Sequence, residues 1–240
     1  MIQVDNLTVR FGGVTPLDNV SLKFDKGTCG LIGPNGAGKT TFFNVLSGFV
    51  RPSSGTVTAY DDDLLGMAHY RRARWGLRRT FQTEQAIEDL TVYDNVAMVH
   101  EHSKQTGSSR RDDVLGAIEF VGLDAQPQAK VGWLGAAERR LVELARAVVG
   151  KPRIVLLDEP AAGLPDEETE HMGKVIASIP EHAGALVILV DHDMSLVSAT
   201  CSVTAVLDFG KLIAAGPTAE VLRNEQVMKA YLGTEETKVA

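Results

Sequence analysis

Two stretches of this chain, 154–157 and Leu186–Val190, are short, continuously apolar and rich in β-branched residues. That pattern predicts strands buried on both faces, as in a parallel sheet covered by helices. At 7–11 and 20–24 apolar and polar residues alternate instead, which predicts half-buried strands. A third compact run, Thr28–Ile32, leads into a glycine-rich turn and then an apolar stretch over 40–46 with helical character, giving strand, loop, helix. Over 138–149, Leu141, Val142, Leu144, Ala145, Val148 and Val149 share one helical stripe, and Gly150 follows as a stop. Residues 83–135 are less regular, with patches at Val114, Leu115, Ile118 and Val121 that predict a helical insert. Repeats and low-complexity segments are absent, and 235–240 reads as a loose tail.

Composition narrows the class. The 240 residues are 44% hydrophobic and 23% charged, enough for one sizeable core, and the net charge of -7 argues against gripping a nucleic-acid backbone. Cys29 and Cys201 are too few to staple such a chain, so both read as reduced and structural in a cytosolic setting. The first residues lack the basic and apolar regions of a signal peptide, and no apolar run reaches the roughly 18 residues of a membrane span. Any work at a membrane is therefore expected to go through partners.

The turn after the third run carries the chemistry. Gly33, Pro34, Asn35, Gly36, Ala37, Gly38, Lys39 and Thr40 fit G-x-x-x-x-G-K-[ST] between a predicted strand and a predicted helix, with Thr41 following. Glycines let the backbone close around phosphate with its N–H groups inward, and the helix aims its positive end there. Lys39 supplies a full charge to the β- and γ-phosphates of ATP, and the Thr40 hydroxyl suits Mg²⁺. The four fixed positions would arise by chance in roughly one chain in a hundred, and the flanking elements make accident rarer still. A second set stands at the end of a buried strand, where α/β folds gather ligands. There Asp158 is placed to hold the Mg²⁺ hydration shell and Glu159 to polarise an attacking water as general base.

Together with Gln82 in Arg79-Thr80-Phe81-Gln82 and His192 in Val190-Asp191-His192-Asp193, 34 positions after Asp158, these motifs resemble the ATP-binding-cassette (ABC) family over residues 4–233. The resemblance implies an α/β P-loop NTPase fold with a mostly parallel core sheet, an N-terminal antiparallel β subdomain and an inserted helical subdomain. It divides a single domain, 1–240, into a core plus β subdomain at 1–82 and 136–233, a helical insert at about 83–135 and a tail at 234–240. It implies that Gln82 touches Mg²⁺ or water and senses membrane subunits, that His192 contacts the γ-phosphate, and that Phe11 stacks on adenine, with a core-strand role for Phe11 still open. The segment after Gln82, to Tyr93, is expected to dock a coupling helix, with Ile87, Leu90 and Val92 lining a groove or packing in the core. Phe11-Gly12-Gly13, Thr80-Phe81-Gln82, Asp158-Glu159-Pro160-Ala161-Ala162-Gly163-Leu164, Asp191-His192-Asp193-Met194 and Val206-Leu207-Asp208-Phe209-Gly210 are most similar to ATPases of branched-chain amino-acid uptake. Such a protein hydrolyses ATP at the cytoplasmic face of the cell membrane with transmembrane permease subunits, a second ABC ATPase subunit and an extracytoplasmic solute-binding protein, and without nucleic acid.

Two places depart from the family pattern. Where the signature loop usually reads Leu-Ser-Gly-Gly-Gln, this chain has Leu134, Gly135, Ala136, Ala137 and Glu138, and Pro165 follows Leu164 where an acid or amide is usual. The serine hydroxyl is missing, and Ala137 adds a Cβ where glycine lets the backbone approach. A heterodimer with an ATPase of intact signature is therefore expected. A lipid- or lipopolysaccharide-type exporter and a non-transport ABC ATPase are the alternatives, although the long coiled-coil insert or second cassette of the latter is absent. An Asn-Lys-x-Asp guanine-reading run is absent too, which argues against a GTPase.

Overall fold

The computed structural model describes residues 1–103 and 109–235, the side chains of 232–235 excepted. Six strands form the central sheet in the order β10 (Lys211–Pro217), β9 (Val203–Asp208), β3 (Thr28–Ile32), β8 (Leu186–Val190), β7 (Ile154–Asp158) and β6 (Leu77–Arg79). All neighbours run parallel except β10, which returns antiparallel along β9. Every residue of β3, β7 and β8 is buried. Their side chains alternate between two cores, as the period of two demands. Ile32, Val155, Leu157, Val187 and Leu189 face one; Cys29, Leu31, Ile154, Leu156, Ile188 and Val190 face the other.

The first core is closed by helices α3 (Val92–His100), α4 (Arg110–Phe120), α5 (Ala136–Val148) and α6 (Asp166–Ala183). The second is closed by α1 (Lys39–Ser47) and by an antiparallel sheet in the order β2 (Val14–Phe24), β1 (Ile2–Phe11), β4 (Ser54–Ala59) and β5 (Asp62–Asp63). Helix α1 is thus wedged between two sheets, with Phe42, Phe43, Val45 and Leu46 all buried. Cys29 and Cys201 are buried free thiols, which burial pushes up to about 12 and about 11.

The helix expected over 138–149 begins two residues earlier; Val149 is its cap and Gly150, at φ +73°, ends it. Within 83–135, residues 83–91 are irregular, α3 and α4 follow, and 104–108 lie outside the described residues. The tail expected from 234 needs correction, because helix α9 (Glu225–Glu235) runs through its first two residues. Buried Val227 and the half-buried Tyr231 anchor α9 to the first core. The remainder, 236–240, lies outside the described residues.

The C-terminal end of α1 shows how tertiary contacts finish an element. Arg72, on α2 (His69–Trp75), is buried; it donates from Nη1 to the carbonyls of Val45 and Leu46 (2.5 and 2.8 Å) and from Nε to Met67 (2.9 Å). The Val45 carbonyl also accepts the Gly48 N–H (3.1 Å), whereas that of Leu46 lies past the last helical donor. Arg72→Met keeps the bulk but removes the donor to the Leu46 and Met67 carbonyls, and should cost about 2–4 kcal/mol of stability. Urea denaturation with an unchanged m-value checks this.

Candidate active site

The carboxyl ends of β3, β8, β7 and β6 are consecutive in the sheet, and the sequence-predicted residues emerge from them. The loop after β3 is held from outside. Gly210, in the β9–β10 turn, donates to the Ala37 carbonyl (3.1 Å) and accepts from the Asp18 N–H (2.8 Å). At Gly33 (φ +152°) an added Cβ would lie 2.1 Å from the Leu207 carbonyl oxygen, and at Gly38 (φ +107°) 2.3 Å from that of Pro16. Only glycine lets the loop curl this tightly between its walls. Behind the loop, α9 presses Tyr231 toward Gly33. Burial pushes that phenol up to about 12, against a smaller opposite pull from a hydrogen bond with the Gly33 backbone.

Lys39 opens α1 and turns back over the loop. Its Nζ donates to the carbonyls of Gly33 (2.5 Å) and Pro34 (3.0 Å). No carboxylate lies within ion-pair distance of it among the described residues. Desolvation pulls this ammonium below its usual range, while Glu159 and Asp158 act in the opposite sense. A buried cation held by carbonyls alone, beneath a ring of glycines, is fitted to a polyanion. The exposed hydroxyl of Thr40 and the carboxylate of Asp158 are hard oxygen donors of the kind Mg²⁺ prefers. The cradle therefore fits a nucleotide phosphate chain with its metal.

Glu159 follows β7 with its backbone in the left-handed region (φ +50°), anchored by its N–H to the Val190 carbonyl at 2.8 Å. That twist carries the side chain between two others. The Gln82 Nε2 donates to its Oε2 at 2.9 Å, and His192 Nε2 lies 2.9 Å from its Oε1. Gln82, Glu159 and His192, spread over 110 positions of sequence, thus form one hydrogen-bonded row. Asp191 shapes the turn that presents His192, accepting from the N–H groups of His192 and Asp193 at 2.7 and 3.0 Å; burial raises its carboxyl. Asp193 caps α7 (Met194–Thr200) through the N–H groups of Ser195 and Leu196.

Sequence reasoning missed Arg79, whose only signal was its place at the end of β6, three positions before Gln82. Its Nη2 donates to Asp158 Oδ2 at 2.9 Å, and its Nη1 reaches Asn44 Oδ1 on α1 at 2.7 Å. A second missed group ties 84–85 to α5. Glu84 pairs with Arg139 (3.0 Å) and Arg140 (3.7 Å), and buried Glu143 accepts from the Gln85 N–H (2.9 Å).

Other expectations fall elsewhere. Phe11 ends β1 with half its surface exposed (52%), so the core-strand reading fails for it. Ile87 is exposed and Leu90 half-buried, but Val92 is fully buried in the core and lines no groove. Exposed Met98 and half-buried Val99 and Phe81 instead flank Arg78, Arg79 and Glu143 on that side. The loop of Leu134, Gly135, Ala136, Ala137 and Glu138 starts α5, with Gly135 donating to Glu138 Oε2 at 2.8 Å. Among the described residues, no hydrogen bond or ion pair joins these five to the cradle, Asp158, Glu159 or His192. Glu138 also binds Gln126, and Arg139 donates to the Leu134 carbonyl, so neither side chain is spare. Pro165 sits at the N-cap of α6, where its fixed φ starts the helix.

The chain matches the ABC transporter family over residues 17–162 and the branched-chain amino acid ATP-binding cassette transporter family over 211–237. It is 35% identical to the high-affinity branched-chain amino acid transport ATP-binding protein LivG of Salmonella typhimurium, covering 97% of this chain and 98% of that one. It is 32% identical to the lipopolysaccharide export system ATP-binding protein LptB of Escherichia coli, covering 96% of each. Among solved structures it is similar to the ADP conformation of MJ1267, an ATP-binding cassette of an ABC transporter (TM-score 0.86, 25% identity, 97% and 98% covered).

Lys39→Ala removes the cation held over the cradle and should weaken ATP binding about 10- to 100-fold. Calorimetry on the full chain checks it; an unchanged affinity would remove Lys39 from the site.

Proposed function

The chain belongs to the ABC transporter family, and on that premise we propose that it is the ATP-hydrolysing subunit of a branched-chain amino-acid importer, working at the cytoplasmic face of the membrane with separate permease subunits and an extracytoplasmic solute-binding protein. The observation that carries the catalytic part is the row of Gln82, Glu159 and His192 beside Lys39 and Asp158. The branched-chain part is supported by the match over 211–237 and by the LivG-type relatives.

In this reading the backbone N–H groups of 33–41, the N-terminus of α1 and Lys39 bind the β- and γ-phosphates, and Phe11 stacks on adenine. Thr40, Asp158 and the Gln82 amide oxygen would hold Mg²⁺, which would supply charge neutralisation on those phosphates. Glu159 takes the proton of the attacking water. Its two oxygens are already fixed by Gln82 and His192, so little side-chain freedom remains to be lost in the transition state. His192 then faces the γ-phosphate, and Gln82 reports on whatever displaces Phe81. We place the permease coupling helix in the groove beside Phe81, Met98 and Val99.

The signature loop makes no bond to this chain's own cradle, which supports its acting on nucleotide held by a second ATPase. Gly135 lacks the hydroxyl for that task and Ala137 obstructs backbone approach. A different subunit with an intact loop would then complete this chain's site, and the site this chain completes would be slow. A Cβ at Gly135 would meet only Glu138 Oε2, at 3.6 Å, so serine fits there.

Two experiments test the reading. Glu159→Gln should lower hydrolysis about 100- to 10,000-fold while ATP still binds; near-wild-type turnover in the assembled complex would show that Glu159 is not the base. Gly135→Ser with Ala137→Gly should raise hydrolysis by the isolated, dimerising chain about 10- to 100-fold, with a smaller relative gain in the heteromeric complex. No change in either preparation would mean that the signature loop does not limit this protein.

A further inference from the structure

We propose that Arg79 is the positioning residue of the metal site: its guanidinium fixes the carboxylate of Asp158 to helix α1 and to the Phe81–Gln82 segment, and Mg²⁺ affinity depends on that fixation. The inference rests on the reading of Asp158 as the carboxylate that faces the nucleotide-bound metal.

The two side chains are nearly sealed from solvent, at 5% and 9% exposure. An ion pair taken so far out of water is not explained by stability, since desolvation commonly cancels the attraction. Nor is the guanidinium here for its hydrogen bonds in sum, because its Nε is buried without a partner. What the arrangement does provide is direction. Arginine is planar and permanently charged, so fixing one arm orients the other. Nη1 is pinned to α1 by Asn44 Oδ1 (2.7 Å) and Ser47 Oγ (3.4 Å), and Nη2 then holds Asp158 Oδ2 (2.9 Å). The Phe43 and Phe81 rings lie against the same group, their centroids 5.4 and 4.8 Å from its central carbon. With Oδ2 taken, Oδ1 is the oxygen left for a hydrated cation.

The backbone repeats the grip. Thr80 donates its N–H to the Leu156 carbonyl (2.9 Å), and the Asp158 N–H donates to Thr80 Oγ1 (3.2 Å). Residues 79 and 80 therefore clasp Asp158 by side chain and main chain together, immediately before Phe81 and Gln82. Displacement of Phe81 would be felt at Asp158 through Arg79. Partners that orient a metal-binding carboxylate typically contribute about 10- to 100-fold to metal affinity.

The test titrates Mg²⁺ calorimetrically into the full-length chain saturated with ADP. Arg79→Lys keeps the charge but cannot span Asn44 and Asp158; Arg79→Gln loses the charge. Both should weaken Mg²⁺ binding about 10- to 100-fold, with ADP affinity in EDTA unchanged. Asn44→Ala, which loosens Arg79 without touching Asp158, should shift it the same way by less. Thermal melting in EDTA verifies folding, and Asn44→Ala carries the test if both Arg79 variants misfold. Lower melting temperatures with unchanged Mg²⁺ affinity would reduce Arg79 to a structural residue and overturn the proposal. So would tighter binding in Arg79→Gln with none lost in Arg79→Lys, the mark of a simple counter-charge. Asp158→Asn is the control: if it leaves Mg²⁺ binding intact, the reading of Asp158 fails, whereas a loss there without a loss in the Arg79 variants sinks only the present inference.

Discussion

A strand buried on both faces carries no charge along its length, and β3, β7 and β8 are three such strands side by side. Every polar group they present must wait for the end of the strand. At the carboxyl edge the chain leaves the core into Gly33, into Asp158 and Glu159, and into Asp191 and His192. Because the strands are parallel and adjacent, these exits share one rim. The same burial that forbids charge within the sheet concentrates it in one place, and the site follows from that.

The rim is not a loose collection of charges. Lys39 is held by carbonyls, Arg79 by Asp158 and Asn44, and Glu159 by Gln82 and His192. Each group has a partner that constrains it, in surroundings where partial burial strengthens electrostatic effects. Such preorganisation is what ATP hydrolysis asks of a protein, since little covalent work remains once phosphates, water and base are aligned. The signature loop stands apart, its Glu138 turned toward Gln126. A rim complete but for one loop is the form expected of a subunit that shares its chemistry with a partner.

Much of this was readable from the chain. The strands at 154–157 and Leu186–Val190 and the stripe on α5 were plain because burial on two faces, or on one stripe, leaves a direct mark in residue type. Boundaries were less so, and α5 begins at Ala136 because Gly135 and Glu138 close its first turn, a local bond no periodicity reveals. The edge strands β6 and β10 and the helix α6 carried weaker patterns and were not anticipated. Glu143 lies on the face of α5 opposite the apolar stripe yet is buried, because Arg146 and the Gln85 N–H meet it there.

The site divides in the same way. The cradle was legible because every requirement on it is local: a strand must stop, the backbone must turn tightly, and a helix must start with Lys39 and Thr40. The convergence of Gln82, Glu159 and His192 was implied only by resemblance, since nothing in their separate neighbourhoods brings them together. Arg79 was invisible as a functional group, for an arginine at the end of a short strand has no signature until Asp158, 79 positions away, is laid beside it. Sequence by itself determined the fold class, the phosphate cradle and the identity of the chemical groups, because those depend on steric freedom and on polarity read over a few residues. Only the tertiary structure decided which charge faces which, that Phe11 points outward while Val92 points in, and that the signature loop has no bond to its own cradle. Those outcomes depend on distances across the sheet, which packing sets and no local pattern encodes.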